Sequence, residues 1–209
     1  MIGLLVADDH PIVREGLKRI VSTYDDIGVV DEAIDGDDVL SKVKNEGVDV
    51  VLLDVSMPGP GFLETLRRLR ELRPGVRVLV LSVHPEDQYA VHALRAGASG
   101  YLTKDHSANE LAEAIRKVHE GRRHLTESLQ DRLADSLDSG GEKPLHELLS
   151  SREFQVFCML GSGKSVTDIA EELELSPKTV STYRARILEK TKLSGNAEVI
   201  RYAVQHGLS

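Results

Sequence analysis

A single cysteine, no tryptophan and an aromatic content of only 4% set the first limits on this chain. One thiol cannot close an intramolecular disulfide, which excludes the stapled folds of small secreted domains and agrees with a reducing compartment. Cys158 lies in the apolar stretch Val156-Phe157-Cys158-Met159-Leu160, where a buried small hydrophobe is expected and not a reactive thiol. With so few aromatics, the cores must rest on Val, Leu, Ile and Ala. No apolar run reaches the length of a membrane span, because Lys and Asp interrupt each candidate. From Met1 the chain enters a short strand-like segment, with no basic start and no cleavage pattern. These absences predict a cytoplasmic location.

What is present fits a folded, soluble chain: 209 residues, 41% hydrophobic and 29% charged, suffice for one large domain or two ordinary ones. The formal charge of −8 is unevenly spread. Residues 149–209 hold 8 Lys/Arg against 7 Asp/Glu, whereas residues 1–148 hold 18 against 27. The acidity therefore belongs to the first part, and the last part is close to neutral.

Short runs rich in Val and Leu at 2–7, 28–33, 48–53, 76–81 and 100–102 read as strands buried on both faces of a parallel sheet. Between them, 12–21, 39–43, 63–72, 89–94 and 111–118 carry apolar residues at helical spacing. Five strand–helix repeats predict an α/β fold with right-handed crossovers covering both faces. Ser107 with Glu110 forms a capping-box pattern before the last of these helices. Residues 136–144 (SLDSGGEKP) have the composition of a flexible linker. Helical order then resumes, with capping boxes at Ser150/Glu153 and Ser165/Asp168 opening helices to about Leu160 and Leu173. Ser176 before Pro177 opens a third, to about Thr191, and a fourth covers 197–205. The predicted domains are 1–121, a linker at 122–146, and an all-helical unit at 147–209.

Functional groups of open parallel α/β sheets gather at the carboxyl ends of the strands. Asp8 and Asp9 follow the first strand, Asp54 ends the third, Ser82 ends the fourth and Lys104 follows the fifth. Three convergent carboxylates repel one another and call for a cation, and an oxygen-only site suits Mg²⁺. Asp54 can attack a phosphoryl group to give an acyl phosphate. Mg²⁺ and the Lys104 ammonium would neutralise the equatorial oxygens of the transition state, and the Ser82 hydroxyl can donate to the arrived phosphoryl group. Solvated strand ends are the bland alternative for any one Asp, but not for the set.

In the last part, two capped helices separated by Glu174-Leu175-Ser176 fit a helix-turn-helix, whose second helix enters the major groove. Val180, Ile187 and Leu188 can face its core, leaving Lys178, Ser181, Thr182, Arg184 and Ala185 outward. Small and polar residues there permit approach to base edges, while Lys and Arg meet phosphates. A merely solvated helix face is the competing reading. Gly161-Ser162-Gly163-Lys164-Ser165 lacks the spacing of a P-loop and follows a helix, so it is set aside.

VADDH at 6–10, LLDVSMPG at 52–59, LVLSVH at 79–84 and GYLTKD at 100–105 resemble the receiver domain of two-component response regulators. The resemblance implies a flavodoxin-like (βα)5 fold with a five-stranded parallel sheet. It implies Asp54 as phosphoacceptor and Asp8 and Asp9 as the metal-binding acidic pair, with the Ser56 backbone carbonyl completing the site. It further implies Ser82 and Tyr101 as switch residues and Lys104 as the family lysine. Tyr101 otherwise reads as a half-buried edge-strand aromatic. Pro60-Gly61-Phe62 departs from the acidic residue and Gly that often follow MPG, which bears on loop stiffness, kinase docking and dephosphorylation rate.

LLSSREFQVF at 148–157, SVTDIAEELELSPKTVSTYRARILEKTKL at 165–193 and NAEVIRYAVQHGL at 196–208 resemble the LuxR-type DNA-binding domain, here four helices. With the receiver, this is the arrangement of the NarL/FixJ response regulators. The resemblance implies groove-facing Lys178, Ser181, Thr182 and Ala185, and backbone-contacting Thr179, Tyr183, Arg186 and Lys192. Glu153 is similar to a structural glutamate of the first helix. Lys164 could add a phosphate contact or be solvated. The implied partners are a sensor histidine kinase, promoter DNA and RNA polymerase, with a homodimer favoured by phosphorylation or DNA. Two other classes stay open: a phosphotransferase turning over an aspartyl-phosphate, which Ser56 in place of a second carboxylate disfavours, and a receiver whose helical module binds protein.

Overall fold

Each of the five Val/Leu-rich runs forms a strand: β1 (Ile2–Ala7), β2 (Ile27–Ala33), β3 (Val50–Asp54), β4 (Arg77–Ser82) and β5 (Gly100–Thr103). In this computed structural model they make one parallel sheet in the order β2-β1-β3-β4-β5. The described residues are 1–83, 86–126, 129–130, 144–173, 175–206 and 208. The linker tract 136–144 therefore lies, except for Pro144, outside the described residues. The chain divides into two compact units, Met1–Ala134 and Asp135–Ser209.

Five helices alternate with the strands: α1 (Pro11–Val21), α2 (Gly36–Lys42), α3 (Phe62–Leu72), α4 (Glu86–Ala96) and α5 (Ala108–His119). Every residue of β1 and β3 is buried, which is why those strands read as unbroken apolar runs. Leu4, Val6, Leu52, Leu79 and Leu102 pack with Leu111, Ile115 and Val118 of α5 and with Val21. Each fully buried Leu or Val there stabilises the fold by roughly 1.5–3 kcal/mol. The capping box is formed as the sequence predicts: the Ser107 side chain accepts from the Glu110 amide, and Glu110 Oε2 accepts from the Ser107 amide at 2.8 Å.

Strand order reverses around β1, so β1 and β3 leave a crevice at their carboxyl ends, where ligands of such sheets bind. Beyond α5 the chain stays on the sheet. His124 bridges Gly100 in parallel, accepts a hydrogen bond from the Tyr101 amide at 3.4 Å and donates to Ser99 O at 3.1 Å. The segment read from residue 122 as linker thus begins as a cover for β5.

Among the described residues the second unit contains a 3₁₀ turn (Leu145–Leu148) and four helices, α6 (Ser151–Gly161), α7 (Val166–Glu172), α8 (Pro177–Thr191) and α9 (Asn196–Gln205). α6 packs on both α8 and α9, and α7 packs on α8. Phe154, Phe157, Ile169, Val180, Ile187, Val199 and Ala203 form the buried centre. α6 and α9 approach so closely that a Cβ on Gly161 would lie 2.5 Å from that of Ala203. Glycine ends α6 at this position because nothing larger fits against Ala203. The Tyr202 hydroxyl accepts from the Leu145 amide at 2.9 Å and so ties the 3₁₀ turn to α9.

Candidate phosphoacceptor pocket and DNA-reading helix

Of the three expected carboxylates, Asp8 and Asp54 meet the lysine at the carboxyl edge of the sheet, and Asp9 stands beside Asp8. Asp8, directly after β1, is 1% exposed, and Asp54, the last residue of β3, is 2% exposed. Burying two carboxylates side by side demands a compensating charge. Lys104 Nζ supplies it, 2.6 Å from Asp8 Oδ2 and 2.7 Å from Asp54 Oδ1. The lysine is placed by its own amide, which donates to the Ser82 carbonyl at 2.7 Å. The remaining oxygens are held by backbone: Asp54 Oδ2 accepts from the Ser56 amide at 2.9 Å, and Asp8 Oδ1 from the His10 amide at 2.8 Å. Arg14 donates to the Asp8 carbonyl at 2.8 Å and fixes the turn after β1.

Burial pushes the Asp54 carboxyl above the ordinary aspartate range. Lys104 opposes that shift, and the charge of Asp8 adds to it. For Lys104, burial favours the neutral amine, but its bonds to Asp54 and Asp8 overcome this and raise its pKa. The lysine is therefore charged at neutral pH, and Asp54 sits in a site where negative charge is under strain.

Asp9 is half-buried, and its Oδ1 is a buried oxygen with no aligned donor. His10 Nδ1 stands 2.7 Å away and forms an ion pair with it only when the imidazole is protonated. Among the described residues, Asp8, Asp9 and His10 offer ligand atoms within 4.8 Å of one another. A buried carboxylate oxygen without a hydrogen bond, beside Asp8, fits a hard divalent cation with oxygen ligands. Receiver domains bind Mg²⁺ at such an acidic pocket, and this cluster matches one. His10 is not among the residues expected at the site from the sequence; its signal there is the histidine that closes VADDH.

Ser82 and Tyr101 are both wholly buried, at the end of β4 and within β5. Tyr101 is thus not half-buried, because α4 and the 122–126 segment cover the β5 edge. In the departing loop, Gly61 caps α3, and its carbonyl accepts from both the amide and the hydroxyl of Thr65 at 3.0 Å. Gly36 N donates to Pro58 O at 3.2 Å, so the loop after Asp54 is tied to the start of α2. Exposed Ser56 sits in that loop.

In the second unit, α7 and α8 form the two helices of the motif; Glu174 of the turn lies outside the described residues. The Leu175 amide donates to Ala170 O at 2.8 Å and turns the chain out of α7. The Ser176 side chain accepts from the Thr179 amide at 3.1 Å and starts α8, with Pro177 at its first turn. Val180 and Ile187 are buried as expected, joined by Thr191, while Leu188 is half-buried. Lys178, Ser181, Thr182, Ala185, Arg186 and Lys192 are exposed, and Thr179 and Tyr183 half-exposed. These eight residues therefore line the outward side of one helix and its end. Lys192 takes the left-handed conformation (φ +59°) that ends α8. Arg184 is not outward: its Nε donates to Asn196 at 2.6 Å and locks α8 to α9.

Glu153 is nearly buried and holds the unit together. Its Oε2 accepts from the Ser150 amide at 2.7 Å and pairs with Lys190 Nζ at 2.6 Å, joining α6 to α8. Burial pushes the Glu153 carboxyl up, but Lys190 and Ser150 outweigh it and the pKa is lowered. Lys164 is paired with Glu172 and so is not simply solvated.

Comparison with known proteins agrees with this geometry. Residues 4–116 match the response regulator receiver domain, and residues 147–203 match the bacterial regulatory proteins of the luxR family. Response regulator UvrY of Escherichia coli K12 is 38% identical over the whole chain and 96% of its own length. Response regulator GacA of Pseudomonas viridiflava is 40% identical over the whole chain and 98% of its length. Among solved structures, RcsB of Salmonella enterica serovar Typhimurium superposes with a TM-score of 0.63, covering 96% of this chain and 97% of that one at 22% identity. That likeness concerns the fold alone. A receiver sheet with its acidic pocket, followed by a four-helix LuxR-type unit and matched along its whole length, places this chain among the DNA-binding transcriptional response regulators of the NarL/FixJ family.

Proposed function

We propose that Asp54 accepts a phosphoryl group from a sensor histidine kinase and that its phosphorylation controls promoter binding by α8. The observation that carries this reading is the Lys104 ammonium shared between two buried carboxylates. A carboxylate oxygen of Asp54 attacks phosphorus, a P–O bond forms, and the P–N bond to the kinase imidazole breaks as that imidazole takes up a proton. Lys104 neutralises the equatorial oxygens, aided by its existing place beside Asp54. Asp8, Asp9, Asp54 and the Ser56 carbonyl would hold Mg²⁺, which supplies charge neutralisation at the phosphoryl oxygens. The Ser82 hydroxyl then donates to the bound phosphoryl group, and Tyr101 responds from the adjoining strand. Ser56, in place of a second carboxylate, leaves hydrolysis of the acyl phosphate without a general base, so turnover is slow.

On the DNA side, Lys178, Ser181, Thr182 and Ala185 face the groove, while Thr179, Tyr183, Arg186 and Lys192 meet the backbone. Phosphorylation acts through exposure of α8 or through a homodimer on two half-sites, where linkage raises effective concentration. RcsB, which shares the fold, is bound to a promoter in the presence of the phosphomimetic BeF₃⁻, and the same coupling is proposed for this chain. RNA polymerase is the expected downstream partner and the cytoplasm the expected location. Among the described residues, no helix is long and apolar enough to cross a membrane.

Intact-mass measurement after incubation with a small-molecule phosphodonor and Mg²⁺ tests the chemistry. The wild type should gain one phosphate, and Asp54→Ala none. A phosphate retained by Asp54→Ala would remove this residue as the acceptor.

A further inference from the structure

The opposite edge of the receiver sheet, where the strands begin, carries a second and differently charged site. A solvent-open cavity of about 220 Å³ is lined by Arg70 of α3, Arg77 at the start of β4, and Arg122 and Arg123 beyond α5. Its apolar wall includes Leu66 and Val78, both almost wholly buried. Among the described residues, no carboxylate lines it. Arg122 is paired with Glu120, Nε to Oε2 at 2.9 Å, and both side chains are more than half exposed. Among the described residues, Arg70, Arg77 and Arg123 have no carboxylate within ion-pair distance. This occurs in the part of the chain that holds 18 Lys/Arg against 27 Asp/Glu, where partners for arginine are abundant.

Like charges gathered beside an apolar wall repel one another more strongly than they would in bulk water. The arrangement is relieved by a multivalent anion. Guanidinium forks match phosphate oxygens two at a time, so arginine outnumbering lysine at the rim selects phosphate geometry over simple charge. The stem of Arg70 lies along Gly97, where a Cβ would come within 3.1 Å of its Cδ, so the backbone makes room for that side chain. A concave site of this size admits a compact phosphate chain and excludes a duplex. We propose that this cavity binds a diphosphate group, either free or carried on a nucleoside, at the sheet edge opposite Asp54.

The test uses the full-length chain in low salt without divalent cations, titrated calorimetrically with inorganic pyrophosphate, ADP and adenosine. Saturable binding of pyrophosphate is expected, with adenosine silent. The double variant Arg77→Gln/Arg123→Gln should weaken it roughly 100-fold, about tenfold for each guanidinium removed from the phosphate oxygens. The exposed pair Arg70→Gln/Arg123→Gln, which leaves half-buried Arg77 intact, should weaken it comparably without changing the thermal melt. Arg19→Gln, a charge removed elsewhere on the surface, should leave affinity within about twofold. ADP binding as tightly as pyrophosphate assigns recognition to the diphosphate, and ADP binding alone assigns it to a nucleotide; both uphold the site. Absence of saturable binding by either ligand, or affinity unchanged in both double variants, overturns it.

Discussion

The pocket at the end of β3 and the outer side of α8 use charge in opposite ways. In the pocket, Asp8 and Asp54 are buried and each depends on Lys104; none of the three is tolerable alone. On α8 and its end, Lys178, Arg186 and Lys192 are exposed and have no carboxylate partner among the described residues. The buried carboxylates find their cation within the chain, so their energetics belong to the fold. An exposed basic row is incomplete until a polyanion arrives, so its energetics belong to the complex and vary with salt.

Replacing Lys104 by Met should break this contrast with the largest effect on stability. Two buried carboxylates lose their cation, and the receiver should lose about 3–5 kcal/mol. Mg²⁺ added to the variant should restore part of that loss by taking the lysine's place in neutralising the carboxylates. The pH sense follows from the raised lysine pKa: its stabilising contribution is full below the ordinary lysine value of 10.5 and disappears as pH rises through the raised one. Thermal melts of both proteins with and without Mg²⁺ read this directly.

Among the described residues the second unit has one buried charge of its own, and Glu153→Gln sharpens the comparison there. Loss of the Lys190 pair should destabilise the helical unit by about 1–3 kcal/mol. Because the folded Glu153 pKa lies below the ordinary glutamate value of 4.5, its contribution is present above that value and is lost as pH falls through the lowered one. Acid unfolding of the wild type should therefore converge on the variant at low pH, as followed by circular dichroism.

Smaller still is the expected effect of Arg186→Ala, which should leave the melt within about 0.5 kcal/mol of wild type. Its consequence appears only with DNA: the slope of log affinity against log salt should fall by about one, uniformly across sequences. Fluorescence anisotropy over a salt series checks it.

Legibility in the sequence follows the same division. Strands β1 and β3 are readable because burial on both faces makes them runs dominated by Val, Leu and Ile, and their boundaries fall within two residues of those expected. Asp8, Asp54 and Lys104 are readable as a set because charges at successive strand ends must meet. The role of Arg184 is not readable, since the Asn196 that holds it is brought near only by packing of α9 on the unit. Burial of Tyr101 is equally hidden, because it depends on His124 returning to cover β5, and no periodicity announces that return. His10 is present in the motif, yet only the turn geometry brings its ring beside Asp9.

The coupling of the two regions is tested most directly by binding to a pool of genomic DNA fragments, with and without phosphodonor and Mg²⁺, in wild type and Asp54→Ala. Specific fragments should be enriched by the wild type, more strongly with phosphodonor, and the variant should show no such gain. Specific binding that is equal in all four conditions would contradict control of α8 by Asp54.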